Sequence, residues 1–296
     1  MPKFYPFSKY SFLDFDFLKS VFTGIGQIML QENGFTGVLF LVGLLYADFS
    51  FGVAAFVSSM LGTIVAHFLK AKKEIINSGH YGFNAALVGV AFIFYFKHSV
   101  FLWFYLLIGA ILSTFIHHFF IIKKYNLFTL PFIIITWIAL LCARYNLIFT
   151  LNIPPTPSLD TSFIVLFLKG FAQIIFQNNS IVGLLFLIGI LFNSRIAAIC
   201  SILAALISFI IYPFFNIDAA LAFEGIFCFN AILSSFVFIK FNFHNFILFL
   251  LVVILSFIFT KIFLIFNLPV LTFPFVAASV LVIYLNHKLT VKLSKN

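Results

Sequence analysis

Eight long stretches of the chain contain no Asp, Glu, Lys or Arg, and they restrict the possible folds more than any other feature. They cover residues 49–69, 75–96, 98–122, 125–143, 170–194, 196–217, 241–260 and 262–287. One helical crossing of a membrane needs about 20 apolar residues. Most stretches are therefore long enough for one crossing, and none is long enough for two full ones. A shorter run, 225–239, would have to borrow flanking residues to cross.

The overall composition requires lipid as the main solvent. Hydrophobic residues make up 64% of the chain and charged residues 8%, whereas about 25% of a soluble domain is charged. The apolar stretches are continuous and do not alternate with polar residues, which disfavours an outer-membrane barrel. Residues 1–16 are aromatic and mixed in charge, so we expect no cleavable signal peptide. The composition predicts an all-α polytopic membrane protein.

An internal repeat divides the chain into two halves. Residues 24–43 align with 170–189 at an offset of 146, with ten of twenty positions identical. The same offset carries Phe83-Asn84 onto Phe229-Asn230, and an offset of 143 carries the Thr129–Phe132 segment onto Thr272–Phe275. The predicted repeats are 1–151 and 152–296, joined at the proline-rich residues 154–157.

Each predicted half contains a short polar-marked segment followed by five apolar segments. The short segments, 17–31 and 162–177, are predicted to be re-entrant half-helices. The apolar segments are placed at 35–47, 50–69, 81–96, 99–122 and 127–148, and at 181–193, 196–216, 226–240, 244–266 and 269–287. An odd number of crossings per half inverts the second half relative to the first, the inverted-repeat architecture of many transporters and channels.

The basic residues predict the orientation in the membrane. With the N-terminus inside, 13 of the 17 Lys and Arg residues fall on the cytoplasmic side. This positive-inside bias places both termini in the cytoplasm. It also accounts for the net charge of +9 without a nucleic-acid site, which would need a clustered basic surface on a soluble fold.

Polar residues that recur in both halves are the candidate functional residues, because polar groups in hydrocarbon are costly unless they are paired or line a cavity. Gln27 and Gln173 occupy matching positions in the two half-helices and offer amide donors and acceptors. Gln31 and Gln177, and likewise Asn33 and Asn179, sit at the segment ends, where we expect capping and turn roles.

Two further groups of residues recur in both halves. Thr129 and Thr272 each precede a proline by two residues, and we expect a proline to disrupt a backbone hydrogen bond and free carbonyl acceptors beside each threonine. The second group consists of two Phe–Leu pairs, and the members of each pair are one helical turn apart on one helix face. If the phenylalanines of the two halves oppose each other, their ring faces would form a flat slot. The pairs are Phe83 with Leu87 and Phe229 with Leu233.

The matched motifs resemble the urea transporter family. They are the Gly24-x-x-Gln27, Gln31-x-Asn33, Gly37-x-x-Phe40, Gly82-Phe83-Asn84 and Phe128–Phe132 segments together with their second-half counterparts, and the resemblance covers about 17–287. It implies a passive urea channel, assembled as a homotrimer in the cell inner or plasma membrane, with a pore in each subunit and no cofactor. By this resemblance Gln27 and Gln173 hold urea near the two ends of the filter.

The resemblance also assigns the other filter residues. Phe83, Leu87, Phe229 and Leu233 would form the slot, and Thr129 and Thr272 would lie on a ladder of oxygen acceptors. The position three after each Gln, often Phe in the family, is Leu30 in the first half and Phe176 in the second, so one slot wall is less aromatic. Glu32 replaces a usual Asn, and we expect it to act as an end-cap.

Other functions stay open from the residues alone. One is a channel for short-chain amides, ammonia or water; the adjacent His117 and His118 raise the ammonia question, but neither is repeated, and we expect one to face the headgroups and the other a helix. Another is an ion-coupled transporter, although Asp48, Asp160, Asp218 and Glu224 map to outer loops. The sequence contains no nucleophile motif and no cluster for a metal site, so an enzyme is disfavoured.

Overall fold

The computed structural model describes residues 15–152, 162–215, 225–240 and 242–293, and these residues are almost entirely helical. The proline-rich joint, Asp160, Asp218 and Glu224 lie outside the described residues. The first half contains α1 (Phe15–Gln27), α2 (Gly34–Ala47), α3 (Phe49–Phe68), α4 (Lys73–Asn77), α5 (Phe83–Tyr95), α6 (Val100–Ile122) and α7 (Leu130–Arg144). The second contains α8 (Phe163–Ala172), α9 (Ser180–Asn193), α10 (Arg195–Ile211), α11 (Phe229–Ser235), α12 (Phe243–Ile265) and α13 (Phe273–Leu293).

Several helices are long and apolar enough to cross a membrane, which confirms the predicted all-α polytopic membrane protein. Within the described residues, length and apolarity alone select five spans: Phe49–Phe68, Val100–Ile122, Arg195–Phe214, Phe243–Ile265 and Phe273–Val291. A further pair, Phe163–Ile175 and Ser180–Asn193, is bent by 74° at its break. A bend of this kind is found in a broken membrane span or in a re-entrant loop.

The other helices are shorter than the hydrocarbon layer. Helices α2, α5 and α7 have 14, 13 and 15 residues, which at about 1.5 Å per residue is roughly 20–23 Å against a core of about 30 Å. The predicted segment 226–240 contains only the seven-residue helix α11. The short helix α4 was not predicted. The ten membrane crossings, and the inversion of the second half relative to the first, stay predictions.

Matching backbone features recur in both halves at the offsets of the sequence repeat. Helices α6 and α12 both have 23 residues, and Ser99 and Asn242 cap their N-termini with side-chain oxygens. Glycines at positions 79 and 225 both adopt positive φ, +78° and +73°. The residue pairs Leu30/Phe176 and Phe128/Leu271 do so as well, at 55°/59° and 48°/43°. The repeat is therefore present in the backbone as well as in the sequence.

The two halves meet where α2 packs against α9. The rings of Phe40 and Phe186, which are equivalent in the repeat, lie 5.0 Å apart between centroids. Each ring also packs against the glycine of the other helix, Phe186 on Gly43 and Phe40 on Gly189. Reciprocal contacts of this kind are what a twofold relation between two equivalent units produces. Helix α1 packs against α2, and α8 packs against α9, so each half-helix is joined to this interface through its neighbour.

Candidate solute pathway

The two threonines of the repeated Thr-x-Pro motifs meet in the interior. The hydroxyl oxygens of Thr129 and Thr272 lie 2.6 Å apart, although 143 residues separate them in the chain. Both side chains are buried. The pairing brings the starts of α7 and α13 together between the two halves. A pair of equivalent residues in direct contact must lie on or next to the axis that relates the halves.

Each threonine is held in place by a buried asparagine from the other repeated motif. The Asn84 amide donates to the Phe128 carbonyl (3.2 Å) and accepts from the Phe132 N–H (3.1 Å). Asn230 makes the matching bonds to the Leu271 carbonyl (3.1 Å) and from the Phe275 N–H (3.2 Å). Both amides therefore satisfy a positive-φ residue just before the threonine and an N–H in the first turn of the helix that follows.

These two asparagines were not predicted to be functional residues. Both were part of the repeated Phe-Asn pair, but only the phenylalanines received a role. The repetition could have identified them, since an amide that recurs at an apolar helix start in both halves needs buried hydrogen-bond partners. Those partners lie 41–48 residues further along the chain, and no local pattern identifies them.

The prolines of the two motifs start helices and do not kink them. Pro131 and Pro274 are the second residues of α7 and α13, where the N–H that proline lacks has no intrahelical partner anyway. The carbonyls expected to be freed, those of Leu127 and Val270, accept from Leu130 and Phe273. The expectation of carbonyls freed by a proline kink is therefore wrong. The threonine hydroxyls and the pre-organised helix starts are what the motif provides.

The glutamines of the half-helices lie where each helix stops. Gln27 is the last residue of α1, is half-buried, and its amide donates to the Ser78 carbonyl at 2.8 Å. Because its nitrogen is the donor, Oε1 is left to accept, and no described residue donates to it. Gln173 begins a single 3₁₀ turn after α8 and is also half-buried. Residue 224, the counterpart of Ser78, lies outside the described residues.

Leu30 and Phe176 terminate these segments. Both have the left-handed conformation, and the N–H of the next residue bonds back five residues, Gln31 to Gly26 (3.2 Å) and Gln177 to Ala172 (3.1 Å). This is the pattern of a left-handed helix C-cap. The Phe176 ring also packs among aromatic rings of the first half, with centroid distances of 5.2 Å to Phe94, 5.7 Å to Tyr95 and 6.1 Å to Phe132.

The predicted capping roles at the segment ends are confirmed for the amides. Asn33 and Asn179 cap the N-termini of α2 and α9. Gln31 and Gln177 fold back onto the carbonyls of Met29 (2.7 Å) and Ile175 (3.1 Å). Glu32 is exposed and makes no capping bond within the described residues. The end-cap expected for Glu32 is therefore wrong, because the shorter Asn33 side chain already occupies the cap position.

The slot residues start two equivalent helices. Phe83 is the first residue of α5 and Phe229 the first of α11, each 7% exposed. Leu87 and Leu233 follow one turn later and are fully buried. Among the described residues no ring contact joins the two phenylalanines, and Phe83 instead packs edge-on against His117 at 5.1 Å. The four residues are thus buried to matching extents at the starts of two helices, and the described residues show no contact between the two rings.

Two buried hydroxyls lie seven residues beyond the threonine pair. Thr136 on α7 and Ser279 on α13 match at the offset of 143, and both are fully buried. Neither hydroxyl has a hydrogen-bond partner in the described part of the chain. Seven residues are close to two helical turns, so each lies on nearly the same face as its threonine. The two helices therefore carry repeated hydrogen-bonding groups that the protein itself leaves unpaired.

The loop that holds Gln27 also contains a histidine. The His80 ring nitrogen Nδ1 lies 2.9 Å from the Ser78 hydroxyl, whose carbonyl accepts from Gln27. Burial lowers the pKa of His80 below its usual 6.5, while the Glu32 carboxylate and a bond to Ser78 act in the opposite direction. The folded protein therefore favours neutral His80, and an unfolded chain takes up a proton at a higher pH.

The stability of the protein is accordingly expected to fall as the pH drops below about 6.5, because protons then favour the unfolded chain. His80→Gln removes this contribution, so its melting temperature in detergent should fall less than that of the wild type between about pH 8 and about pH 5. His98→Gln, at an exposed position, is the control and should follow the wild type. Parallel curves for His80→Gln and the wild type would contradict the assignment.

The adjacent histidines of α6 contact Tyr81, just before α5, and Asn84, the second residue of α5. The Tyr81 hydroxyl lies 2.7 Å from His118 Nδ1, and Asn84 Nδ2 lies 3.4 Å from His117 Nδ1. His117 is 8% exposed and His118 is half-buried. Both histidines therefore make contacts within the protein, and the expectation that one of them faces the headgroups stays a prediction.

Comparison with known proteins identifies the chain's relatives. The family model described as "Urea transporter" matches residues 18–287. Urea transporter 1 of Capra hircus is 29% identical over 230 residues, which are 69% of this chain and 59% of the goat protein. Urea transporter 1 of Ovis aries is 31% identical over 125 residues, 39% of this chain and 32% of the sheep protein. The matches thus span less than two thirds of the length of these relatives.

Proposed function

Because this chain belongs to the urea transporter family, we propose that it conducts urea passively across a membrane, along a path between its two repeats. The paired hydroxyls of Thr129 and Thr272 carry this proposal. They place two small polar groups in direct contact at the centre of a buried apolar interface. The bond between the two hydroxyls uses one donor and one acceptor lone pair, so acceptor lone pairs remain for a further partner, and urea is a small neutral solute rich in N–H donors.

The hydrogen-bonding groups along the two helices suit such a solute. The threonine hydroxyls are followed on the same helix faces by the unpaired hydroxyls of Thr136 and Ser279. Each hydroxyl offers two acceptor lone pairs. A solute that moves past them exchanges water for protein acceptors in small steps, so no single step carries the full desolvation penalty.

The half-helix glutamines are proposed to hold urea at the two ends of this path. Gln27 donates to the Ser78 carbonyl, which fixes its amide with Oε1 as the acceptor for a urea N–H. Gln173 occupies the matching position at the end of α8. Neither amide is charged, so neither attracts ions, and each binds urea weakly enough to release it.

The slot between the glutamines is proposed to select by shape and desolvation. Phe83 and Phe229 would flank the planar solute, with Leu87 and Leu233 beneath them and with Leu30 and Phe176 at the ends of the half-helices. Apolar walls offer no ligand to a dehydrated ion, so ions are excluded by the energy of losing water. The carboxylates of the described residues, Asp16, Glu32, Asp48 and Glu74, are all exposed, which supports transport without ion coupling.

The proposed setting is a homotrimer in the cell inner or plasma membrane, with one path in each subunit and both termini in the cytoplasm. The halves are proposed to be inverted repeats, 1–151 and 152–296, in keeping with the equivalent contacts of α2 with α9 and of Thr129 with Thr272. Transport leaves urea chemically unchanged and requires no cofactor.

Urea flux into proteoliposomes tests the proposal. The wild-type protein should carry urea down its gradient at a rate that does not change when sodium or proton gradients are imposed. Gln173→Leu should lower the flux by about tenfold or more, because an amide worth about 1.4 kcal/mol to the rate-limiting step is lost. The control Asn178→Ala changes an exposed amide five residues away and should conduct normally.

Two results would overturn the proposal. One is a reconstituted wild-type protein whose urea flux equals that of empty liposomes. The other is an electrical current on addition of urea, which would indicate ion coupling. Normal flux in Gln173→Leu would remove the role of Gln173 while leaving urea conduction in place.

A further inference from the structure

His117 is a buried histidine next to the proposed slot. It lies on α6 and is 8% exposed. Its ring packs at right angles to Phe83, with 5.1 Å between centroids, and to Tyr81 at 6.0 Å. One of its ring nitrogens contacts Asn84, the residue that follows Phe83. His117 is therefore adjacent both to a wall of the slot and to the amide that holds the Thr129 segment.

The bonds of Asn84 fix the hydrogen position on the His117 ring. Asn84 Oδ1 accepts from the Phe132 N–H at 3.1 Å, so Nδ2 is the nitrogen that donates to the Phe128 carbonyl and faces His117 Nδ1 at 3.4 Å. A nitrogen that receives a hydrogen bond carries no hydrogen itself. In a neutral imidazole the hydrogen must then be on Nε2.

This Nε2–H has no partner. The atom is buried, and no described residue is within hydrogen-bonding reach of it. A buried donor left unpaired is unfavourable, and such groups in native proteins call for an explanation. The Asn84 contact keeps the hydrogen from moving to Nδ1, because two donors would then face each other.

The repeat does not require a histidine here. Helices α6 and α12 align at an offset of 143, which carries Ser113 onto Ser256 and His117 onto Thr260. The Thr260 hydroxyl is satisfied by the Ser256 carbonyl at 2.8 Å. Among its described residues, the second half therefore has no unpaired donor at this position. The unpaired His117 Nε2–H in the first half is a difference between two helices, α6 and α12, that otherwise match.

We propose that His117 Nε2–H donates a hydrogen bond to the carbonyl oxygen of urea as the solute passes Phe83. The inference rests on the proposed urea conduction. Urea needs acceptors for its N–H groups, which Gln27 Oε1 and the hydroxyls of Thr129 and Thr272 provide, and a donor for its oxygen. The buried Nε2–H of His117 is a donor that no other described residue engages. His117 is a specificity-determining residue for a small neutral solute with a carbonyl oxygen.

A comparison of urea flux with thiourea flux distinguishes this role from a structural one. Thiourea has the same N–H groups as urea, but its sulfur is a much weaker acceptor. His117→Leu should lower urea flux about three- to tenfold, the equivalent of one neutral hydrogen bond, and leave thiourea flux within about twofold, so the urea-to-thiourea flux ratio falls. His117→Gln places an amide N–H near the Nε2 position and should restore most of the ratio.

The control is His118→Leu, on the same helix but bonded to Tyr81, which should leave the ratio unchanged. Equal loss of both fluxes in His117→Leu, as a misfolded protein would give, overturns the proposal, and so does an unchanged urea flux. A fall in the ratio that His117→Gln does not restore overturns it too.

A binding measurement keeps the inference separate from the proposed function. In wild-type protein with ¹⁵N-labelled histidine in lipid bilayers, the His117 Nε2 signal, identified by its loss in His117→Gln, should shift with urea and not with thiourea. No shift at saturating urea would overturn the role of His117. A wild-type protein without urea flux would instead overturn the proposed channel, and the NMR signal would still decide whether His117 binds urea.

Discussion

Asn230→Leu is expected to destabilise the protein by about 2–6 kcal/mol, because it leaves two buried backbone groups without partners at roughly 1–3 kcal/mol each. These groups are the Leu271 carbonyl and the Phe275 N–H, which the Asn230 amide bridges at 3.1 and 3.2 Å. Leucine has the same number of side-chain heavy atoms as asparagine and the same branching, so the change removes hydrogen bonds without opening a cavity. Asn84→Leu should have the same effect in the first half.

Function should suffer in the protein that still folds. Both asparagines hold the residue just before a threonine, so their loss frees Thr129 or Thr272 to move out of the 2.6 Å contact. Urea flux per folded subunit is expected to fall by about tenfold, a change of roughly 1.4 kcal/mol in the barrier. Thermal unfolding in detergent gives the first effect, and flux normalised to the folded fraction gives the second.

Asn286→Leu is the matched control for the asparagine variants. Its amide makes one exposed contact, with His244 at 2.8 Å, and surface changes of this kind usually stay within about 0.5 kcal/mol. Asn230→Asp should be intermediate, since the carboxylate still accepts from Phe275 but cannot donate to Leu271. A melting temperature for Asn230→Leu equal to that of Asn286→Leu would show that the bridging amide is unimportant.

Gly37→Ala is expected to prevent folding of most of the protein. A Cβ at this position would overlap the carbonyl oxygen of Phe22 in α1, and at the equivalent Gly183 it would overlap that of Leu168 in α8. Overpacking against side chains costs about 1–3 kcal/mol, and a helix backbone moves less readily than a side chain. Both variants should therefore lose more than about 3 kcal/mol, and with it the placement of Gln27 or Gln173.

Gly34→Ala is the control on the same helix. An added Cβ at Gly34 would meet the Lys19 carbonyl oxygen at 3.5 Å, which is ordinary van der Waals contact. The yield of monodisperse protein in size-exclusion chromatography should collapse for Gly37→Ala and Gly183→Ala and stay near the wild type for Gly34→Ala. Wild-type yield and melting temperature for Gly37→Ala would disprove the close approach of α1 and α2.

Features that depend on neighbouring residues were predicted well from the sequence. The apolar stretches predicted the positions of most helices, since a continuous run of hydrophobic residues is enough to locate a membrane-spanning helix. The segment ends gave the capping roles of Asn33 and Asn179, because a cap bonds to residues two or three positions away. Pro131 was misread because a proline fits equally the first turn of a helix and a kink within one, and only the helix start distinguishes them.

The chain's sequence by itself determined that lipid is the solvent, that two related halves exist, and which residue pairs recur. Only the tertiary structure decided that Thr129 meets Thr272, that Asn84 and Asn230 hold the segments before them, and that His117 keeps an unpaired donor beside Phe83. The physical reason is range. Helices and caps are stabilised by bonds within a few residues, whereas these contacts join residues 33–143 positions apart and form only when whole helices pack.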